Sequence, residues 1–242
     1  MVTVIAPAKL TVSLRMTGLR DDGYHLIDAE MITLDFGDQL EISASSGPDA
    51  ITEVEFDGPA WSDGMVAGDD NLVTRALRLA RRDAHVRVTK HIPAGAGLGG
   101  GSADAAAVLR WAGFTDTDAA ASIGADVAFC LVGGRAHVTG IGDVIEPLPF
   151  VARTFTLVTP PFGCSTPAVY AAWDDMGGPT GEHGNDLEPA ALQVAPELAK
   201  WRDELERATG RRPCLAGSGS TWFVEGAFPG PGRVVASTVP AS

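Results

Sequence analysis

The sequence has few cysteines and no long apolar run. Its three cysteines, Cys130, Cys164 and Cys214, are odd in number and far apart, so we expect neither a disulfide framework nor a cysteine zinc site. No apolar segment approaches the ~20 residues that cross a bilayer, and the N-terminus lacks the basic and apolar regions of a signal peptide. These absences predict a reduced, cytoplasmic protein without a membrane span.

Basic residues are also scarce. The chain has 18 Lys and Arg against 31 Asp and Glu, which gives a net charge of −13. Because a field of this sign repels polyphosphate backbones, nucleic acid and anionic membranes are not expected partners. A small anion can still bind, since backbone dipoles act at short range. The 242 residues, 45% of them hydrophobic, are enough for one large domain or two small ones with a buried core.

Hydrophobic periodicity predicts a mixture of strands and helices. Apolar residues alternate from Leu10 to Met16, which is typical of a half-buried strand, and a turn at Arg20–Gly23 leads to a second strand through Met31–Leu34. Further strands are predicted at 39–43, 51–56, 85–92, 135–139, 144–148, 154–159 and 233–239, and residues 214–224 are predicted to form a strand, a glycine turn and a second strand. Helices are predicted at 70–83, 102–112, 167–174 and 196–208.

Proline punctuation at Pro147–Pro149 suggests a boundary near residue 150. We therefore predict an α+β fold with one domain at 1–150 and a second at 151–242.

The segment from Pro93 to Asp104 has the features of a phosphate cradle. Five glycines in seven residues let backbone N–H groups converge, and the alanine-rich helix that follows adds its positive end, with Ser102 expected to cap it. The spacing fits neither a Walker A loop nor a dinucleotide fingerprint. The alternative interpretation is a flexible glycine turn.

Three segments resemble the motifs of the GHMP small-molecule kinases. They are Ala6–Leu10, the Pro93–Asp104 segment and Leu215–Ser220. Within that superfamily, four further segments resemble the kinases whose acceptor carries a cytidine diphosphate group; they are Asp22–His25, Asp70–Val73, Gly124–Val127 and Asn185–Pro189.

The resemblance implies both fold and reaction. It implies a two-domain GHMP kinase architecture, with an N-terminal domain like ribosomal protein S5 domain 2 and a shortened ferredoxin-like C-terminal domain. It also implies ATP-dependent phosphorylation of the 2-hydroxyl of a cytidine-diphosphate-linked methylerythritol in the non-mevalonate isoprenoid pathway. Mg²⁺ would arrive with ATP, so no protein metal cage is expected, and the chain would be a monomer or a homodimer.

The same resemblance implies roles for particular residues. Lys9 and Asp126 would be catalytic, and Tyr24, His25 and Tyr170 would bind the substrate. The residues implied to bind ATP are Pro93, Ala94, Gly95, Ala96, Gly97, Leu98, Gly99, Gly100, Gly101, Ser102 and Ala103.

Other interpretations of these residues stay open. Lys9 could be a solvated charge, Asp126 a helix N-cap, and Tyr170 an ordinary packing residue. The chain departs from the family at Thr11, where asparagine is usual, and at Ala128, where proline is usual. It is also short between Trp111 and Gly124 and in two later connections, where relatives carry helices.

Two alternative functions remain. One is a GHMP kinase for another small alcohol, such as homoserine or mevalonate, and the other is a non-catalytic nucleotide-binding paralogue.

Overall fold

The computed structural model describes residues 1–45, 52–62 and 68–241. Ten strands and seven helices lie in these ranges. The strands are β1 Val2–Leu19, β2 His25–Ser45, β3 Glu53–Asp57, β4 Asp83–Thr89, β5 Arg135–Thr139, β6 Val144–Leu148, β7 Thr154–Val158, β8 Cys214–Leu215, β9 Trp222–Glu225 and β10 Val234–Ser237. The helices are α1 Leu72–Leu79, α2 Gly100–Trp111, α3 Thr117–Ile123, α4 Ala125–Val132, α5 Thr166–Asp175, α6 Glu188–Val194 and α7 Leu198–Thr209.

A long antiparallel hairpin of β1 and β2 forms the centre of the first sheet. Its turn places Gly23 at φ +87°, a conformation that glycine adopts without strain, and the Gly23 N–H donates to the Arg20 carbonyl. The predicted strands at 31–34 and 39–43 are parts of one 21-residue strand, β2, so predicting two strands there was wrong. Register shifts on β1, the first between Pro7 and Lys9, bend the hairpin.

The first sheet has six strands in the order β3-β4-β2-β5-β6, with β1 paired to β2. Helices α1 to α4 share one hydrophobic core with it. Alanines at 103 and 105–107 are buried along α2, and small side chains let a helix lie close to its neighbours. This close packing fixes the N-terminal end of α2, where the glycine segment begins.

The second sheet has four strands in the order β10-β7-β9-β8, and α5, α6 and α7 pack into its core. All strands of the first sheet precede residue 149 and all strands of the second follow residue 153. The mixture of sheets and helices confirms the predicted α+β class. We retain 1–150 and 151–242 as the proposed domain division.

A third hydrophobic cluster joins the two sheets. Leu10, Ile32 and Leu34 of the first sheet lie in it together with Phe155 and Phe223 of the second. Beside this cluster, Arg153 forms salt bridges both to Glu30 of β2, at 3.1 Å, and to Glu225 of β9, at 2.9 Å. The two halves of the molecule, each consisting of one sheet with its helices, are therefore held together by shared apolar packing and by salt bridges.

Several boundaries differ from those predicted. The first helix ends at Leu79 rather than near residue 83, because Arg81 is left-handed with φ +52° and Asp83 starts β4. The strand predicted at 51–56 is β3, and Ile51 lies outside the described residues. Helices α3, α4 and α6 were not predicted, because a segment of seven or eight residues is too short for the helical repeat of apolar residues to be recognised. The region between Trp111 and Gly124 thus does hold a helix.

None of the helices in the described ranges combines the length and the apolar character that a membrane span requires.

Candidate active site

A cleft of about 820 Å³ lies where the glycine segment, β1, α4 and the start of α5 meet. Fifteen of the sixteen residues given catalytic, substrate-binding or ATP-binding roles above line it. They are Lys9, Tyr24, His25, Pro93, Ala94, Gly95, Ala96, Gly97, Leu98, Gly99, Gly100, Gly101, Ser102, Asp126 and Tyr170. Segments far apart in the chain are thereby brought to one surface. Of the eleven residues implied to bind ATP, only Ala103 does not line the cleft and is fully buried instead.

Lys9 and Asp126 form an ion pair in this cleft. Lys9 Nζ lies 3.1 Å from Asp126 Oδ2, and the two side chains are 7% and 34% exposed. Lys9 Nζ also donates a 3.0 Å hydrogen bond to Thr11 Oγ1. The buried lysine side chain is therefore not a solvated surface charge. The more exposed carboxylate can be reached from the cleft.

Asp126 belongs to the first turn of α4, but it is not the N-cap. Gly124 occupies the cap position, with φ 169°. Asp126 thus lies next to the positive end of the helix dipole, which favours a negative charge there.

The glycine segment begins α2 in a way that the sequence did not reveal. The N-cap is Gly99, in the left-handed region at φ +68°, and Ser102 lies inside the first turn. The prediction that Ser102 caps the helix was therefore wrong. A Cβ on Gly99 would come within 2.7 Å of Lys9 Cγ, so the lysine stem occupies the space that a side chain would take. Gly113, with φ +74°, follows the last turn of α2.

The glycine segment is tied to the loop at 216–221 through main-chain groups. Ser220 N–H donates to Gly95 O at 3.0 Å, and Thr221 N–H donates to Ala96 O at 3.1 Å. A Cβ on Gly97, whose φ is +76°, would lie 2.2 Å from the Ala216 carbonyl oxygen. The loop at 216–221 therefore buttresses the glycine segment.

Asn185 holds that buttress in place. Its Nδ2 donates to Leu215 O at 2.8 Å and to Gly217 O at 2.6 Å, while its Oδ1 accepts from Leu187 N–H. A buried amide with all three bonds made fixes the loop firmly.

Sequence reasoning missed a buried charge cluster beside the cleft. The Lys90 ammonium is bonded to Asp104 at 2.6 Å and to Asp38, and Asp38 also accepts the Ile92 N–H at 2.8 Å. Burial together with the negative charge of Asp38 raises the pKa of Asp104 to about 7, although Lys90 opposes this. Burial alone would lower the pKa of Lys90, but the two carboxylates outweigh it and raise the pKa.

The three residues implied to bind substrate also line the cleft. His25 packs against Tyr170 with ring centroids 5.0 Å apart, and burial raises the pKa of Tyr170 to about 12. No sequence motif indicated Asp174, yet its Oδ1 lies 2.7 Å from His25 Nε2. Trp173 contacts the same imidazole edge-on at 5.6 Å. Helix α5 therefore orients His25, while Tyr24 remains largely exposed.

Asn71 lines the cleft and caps α1, since its Oδ1 accepts the Val73 N–H at 2.9 Å. Within the described residues, one group has the side-chain spacing of a metal site, Glu53, Glu55 and His85. These three are exposed on β3 and β4, and none lines the cleft.

Known proteins resemble this chain along nearly its whole length. The GHMP kinases N terminal domain family matches residues 71–134. A 4-diphosphocytidyl-2-C-methyl-D-erythritol kinase of Ruegeria pomeroyi is 37% identical over 267 aligned positions, which cover 99% of this chain and 93% of that protein. The namesake of Paracoccus denitrificans is 38% identical over 237 positions, 90% of this chain and 84% of that one. A crystal structure of 4-(cytidine 5′-diphospho)-2C-methyl-D-erythritol kinase superposes with a TM-score of 0.75 at 28% identity, over 98% and 99% of the two chains.

Proposed function

The chain belongs to the 4-diphosphocytidyl-2-C-methyl-D-erythritol kinases of the GHMP superfamily, and from this premise we propose how its residues carry out the reaction. It is a phosphotransferase that moves the γ-phosphoryl group of ATP to an alcohol of the cytidine-bearing substrate, a step of isoprenoid synthesis. The acceptor is the 2-hydroxyl of the methylerythritol part.

Asp126 is the proposed general base. A tertiary alcohol is a weak nucleophile, and a carboxylate that takes its proton during attack typically contributes 10² to 10⁴ in rate. The partial exposure of Asp126 toward the cleft supports this role, as does its place in the first turn of α4.

Lys9 is proposed to stabilise the transferring phosphoryl group. An ammonium has three N–H donors. One of them bonds to Thr11 Oγ1, and the ammonium as a whole is paired with the Asp126 carboxylate. A cation in this buried position acts through a low local dielectric, where charge stabilisation is stronger than in water.

The segment Pro93–Ala103 is proposed to hold the ATP phosphates. Gly95, Gly97 and Gly99 are all left-handed, and ten of the eleven residues line the cleft. The N-terminus of α2 adds unpaired N–H donors and the positive end of a dipole. Because backbone N–H groups and the helix dipole make this contact, the segment can bind phosphate although it contains no lysine.

Tyr24, His25 and Tyr170 are proposed to hold the cytidine end of the substrate. An aromatic face stacks on a nucleobase, and Tyr170 stays neutral with its raised pKa. The bonded Asp174 keeps the His25 ring in one orientation at this end of the cleft.

Magnesium fits a site of this kind. Three aspartates line the cleft among the described residues, Asp70, Asp104 and Asp126, and Asp104 is already bonded to Lys90. Mg²⁺ favours a few carboxylate or phosphate oxygens and keeps several waters, so we propose that it is held mainly by ATP oxygens with Asp70 or Asp126 nearby. When bound, it neutralises phosphate charge.

Location and assembly also belong to this proposal. All three cysteines are free, which suits the reducing cytoplasm. The active site is built from one chain, so either a monomer or a homodimer would be functional.

The observation that carries the proposal is the Lys9–Asp126 pair beside the glycine segment. A coupled assay of ADP release tests it with magnesium-ATP and three acceptors, the cytidine substrate, homoserine and mevalonate. We expect turnover with the cytidine substrate alone. Turnover with another acceptor would point to a different small-alcohol kinase, and silence with all three despite ATP binding would point to the non-catalytic paralogue.

The variant Asp126→Asn tests the assigned base. We expect kcat to fall by roughly 10² to 10⁴, while the calorimetric Kd for ATP changes less than about threefold, because the carboxylate acts on the acceptor hydroxyl. The exposed Asp203→Asn on α7, which does not line the cleft, serves as the matched control and should keep wild-type kcat. A kcat near the wild-type value in Asp126→Asn would show that another group is the base.

A further inference from the structure

Thr11 lies two residues after Lys9 on β1, and both side chains line the cleft. The residue is 1% exposed, and its Oγ1 is 3.0 Å from Lys9 Nζ. Because an ammonium can only donate, the threonine oxygen is the acceptor of this bond. The bond is buried on both sides, so water does not compete for it.

Two side chains anchor the Lys9 ammonium, and they differ in charge and in exposure. Asp126 is charged and 34% exposed, whereas Thr11 is neutral and buried. A lysine stem has four flexible bonds, while a β-branched threonine is stiff at χ1. Gly99 packs against the stem of Lys9, and a Cβ at Gly217 would stand 4.0 Å from its Nζ. Thr11 is therefore the rigid one of the two anchors.

The two anchors respond differently to the proposed reaction. When Asp126 takes the proton of the acceptor alcohol, its carboxyl becomes neutral and its attraction for Lys9 falls. The hydrogen bond from Lys9 to Thr11 does not depend on that charge. It persists at the moment when the ammonium has to face the transferring phosphoryl group.

We propose that Thr11 is a positioning residue, whose hydroxyl oxygen holds the Lys9 ammonium in place as Asp126 gains its proton. The inference rests on the roles proposed above for Lys9 and Asp126. It assigns a function to the position at which this chain departs from the asparagine usual in its superfamily. The methyl group of Thr11 has no part in it.

Two substitutions separate the hydroxyl from the shape of the side chain. Thr11→Val keeps the branched shape and removes the acceptor, whereas Thr11→Ser keeps the acceptor and removes the methyl group. We expect Thr11→Val to lower kcat about 10- to 100-fold with KM for both substrates changed less than about threefold, since small misplacement of a catalytic group has effects of this size. Thr11→Ser should retain kcat within about threefold.

The opposite pattern overturns the proposal. Wild-type kcat in Thr11→Val excludes a role for the hydroxyl, and a kcat in Thr11→Ser as low as in Thr11→Val shows that the side chain acts by packing. Loss of kcat together with a large rise in KM for ATP would likewise indicate a disturbed cleft rather than a misplaced ammonium.

Urea unfolding of a double-mutant cycle with Lys9→Met tests the same contact without any turnover. Thr11→Val should lower the urea midpoint clearly when Lys9 is present, because it strands a buried N–H, and hardly at all in the Lys9→Met background. An equal loss in both backgrounds, or a double variant that fails to fold, overturns the proposal. If instead the wild-type chain turns over none of the acceptors while the coupling is seen, the proposed function fails and the Lys9–Thr11 contact stands.

Discussion

At the scale of single residues, the buried cluster of Lys90, Asp38 and Asp104 has a consequence for stability. Burial disfavours the charged carboxylate and two carboxylates share one ammonium, so the folded cluster binds a proton more readily than the unfolded chain does. The raised pKa of Asp104, about 7 against 3.8, means that its contribution to stability is complete below pH 3.8. That contribution is lost as the pH rises through 7.

Asp104→Asn should remove this pH dependence, because the amide mimics the protonated carboxyl. Between pH 4.5 and 7.5, we expect the free energy of unfolding of the variant to rise relative to wild type by about 1 kcal/mol per pH unit or less. Urea unfolding at four pH values measures it, with the exposed Asp70→Asn as control. Parallel pH profiles for wild type and Asp104→Asn would contradict the prediction.

The sequence could not reveal this cluster or the partner of His25. Lys90 and Asp38 are 52 residues apart, and Asp174 is 149 residues from His25, so only the fold brings them together. Lys9 and Asp126 were found because each lies in a short motif that resembles a known one. Their contact distance still had to come from the structure.

At the scale of elements, glycines set how closely the phosphate-binding segment approaches the 216–221 loop. Gly97 has φ +76° and no room for a Cβ, whereas Gly177, after α5, has φ +78° and nothing within 4 Å of a Cβ. An alanine would therefore meet similar left-handed strain at both positions, and only at Gly97 would its Cβ also lack space.

Replacing each of the two by alanine separates the two effects. We expect Gly177→Ala to cost about 1–2 kcal/mol of stability from left-handed strain alone and to leave ATP binding unchanged. Gly97→Ala should cost more and raise the calorimetric Kd for ATP at least about tenfold, because the Cβ pushes the segment away from the Ala216 carbonyl. Equal ATP affinity of the two variants would show that the contact does not shape the phosphate site.

Strands and helices could be predicted from the sequence only where the apolar repeat extended over enough residues. The alternation from Leu10 to Met16 indicated β1, but nothing local distinguishes two strands from the single β2, which continues past Gly37. A Cβ at Gly37 would lie 2.1 Å from the Ala6 carbonyl oxygen, so this glycine permits close pairing of β1 and β2. The register shift of β1 against β2 next to this position depends on tertiary packing, which no local sequence pattern shows.

At the scale of the whole molecule, the cluster around Leu10, Ile32 and Phe155 belongs to both sheets. Separating the halves would expose these side chains, and each fully buried leucine or phenylalanine contributes about 1.5–3 kcal/mol. The two proposed domains should therefore unfold together.

We expect a single urea transition for the full chain. Far-UV circular dichroism and tryptophan fluorescence should give the same midpoint, since Trp111 of α2 and Trp222 of β9 report on different halves. Two separated transitions, or midpoints that differ between the probes, would show that the halves unfold independently.

The hydrogen bonds between the glycine segment and the 216–221 loop join main-chain N–H and C=O groups. Every amino acid except proline carries the same N–H, so almost any exchange at 220 or 221 leaves the donor in place. The connection can thus outlast extensive divergence of the surrounding sequence. Among single exchanges at these two positions, a proline is the change that removes a donor outright, and deletions in the loop are the other route to losing it.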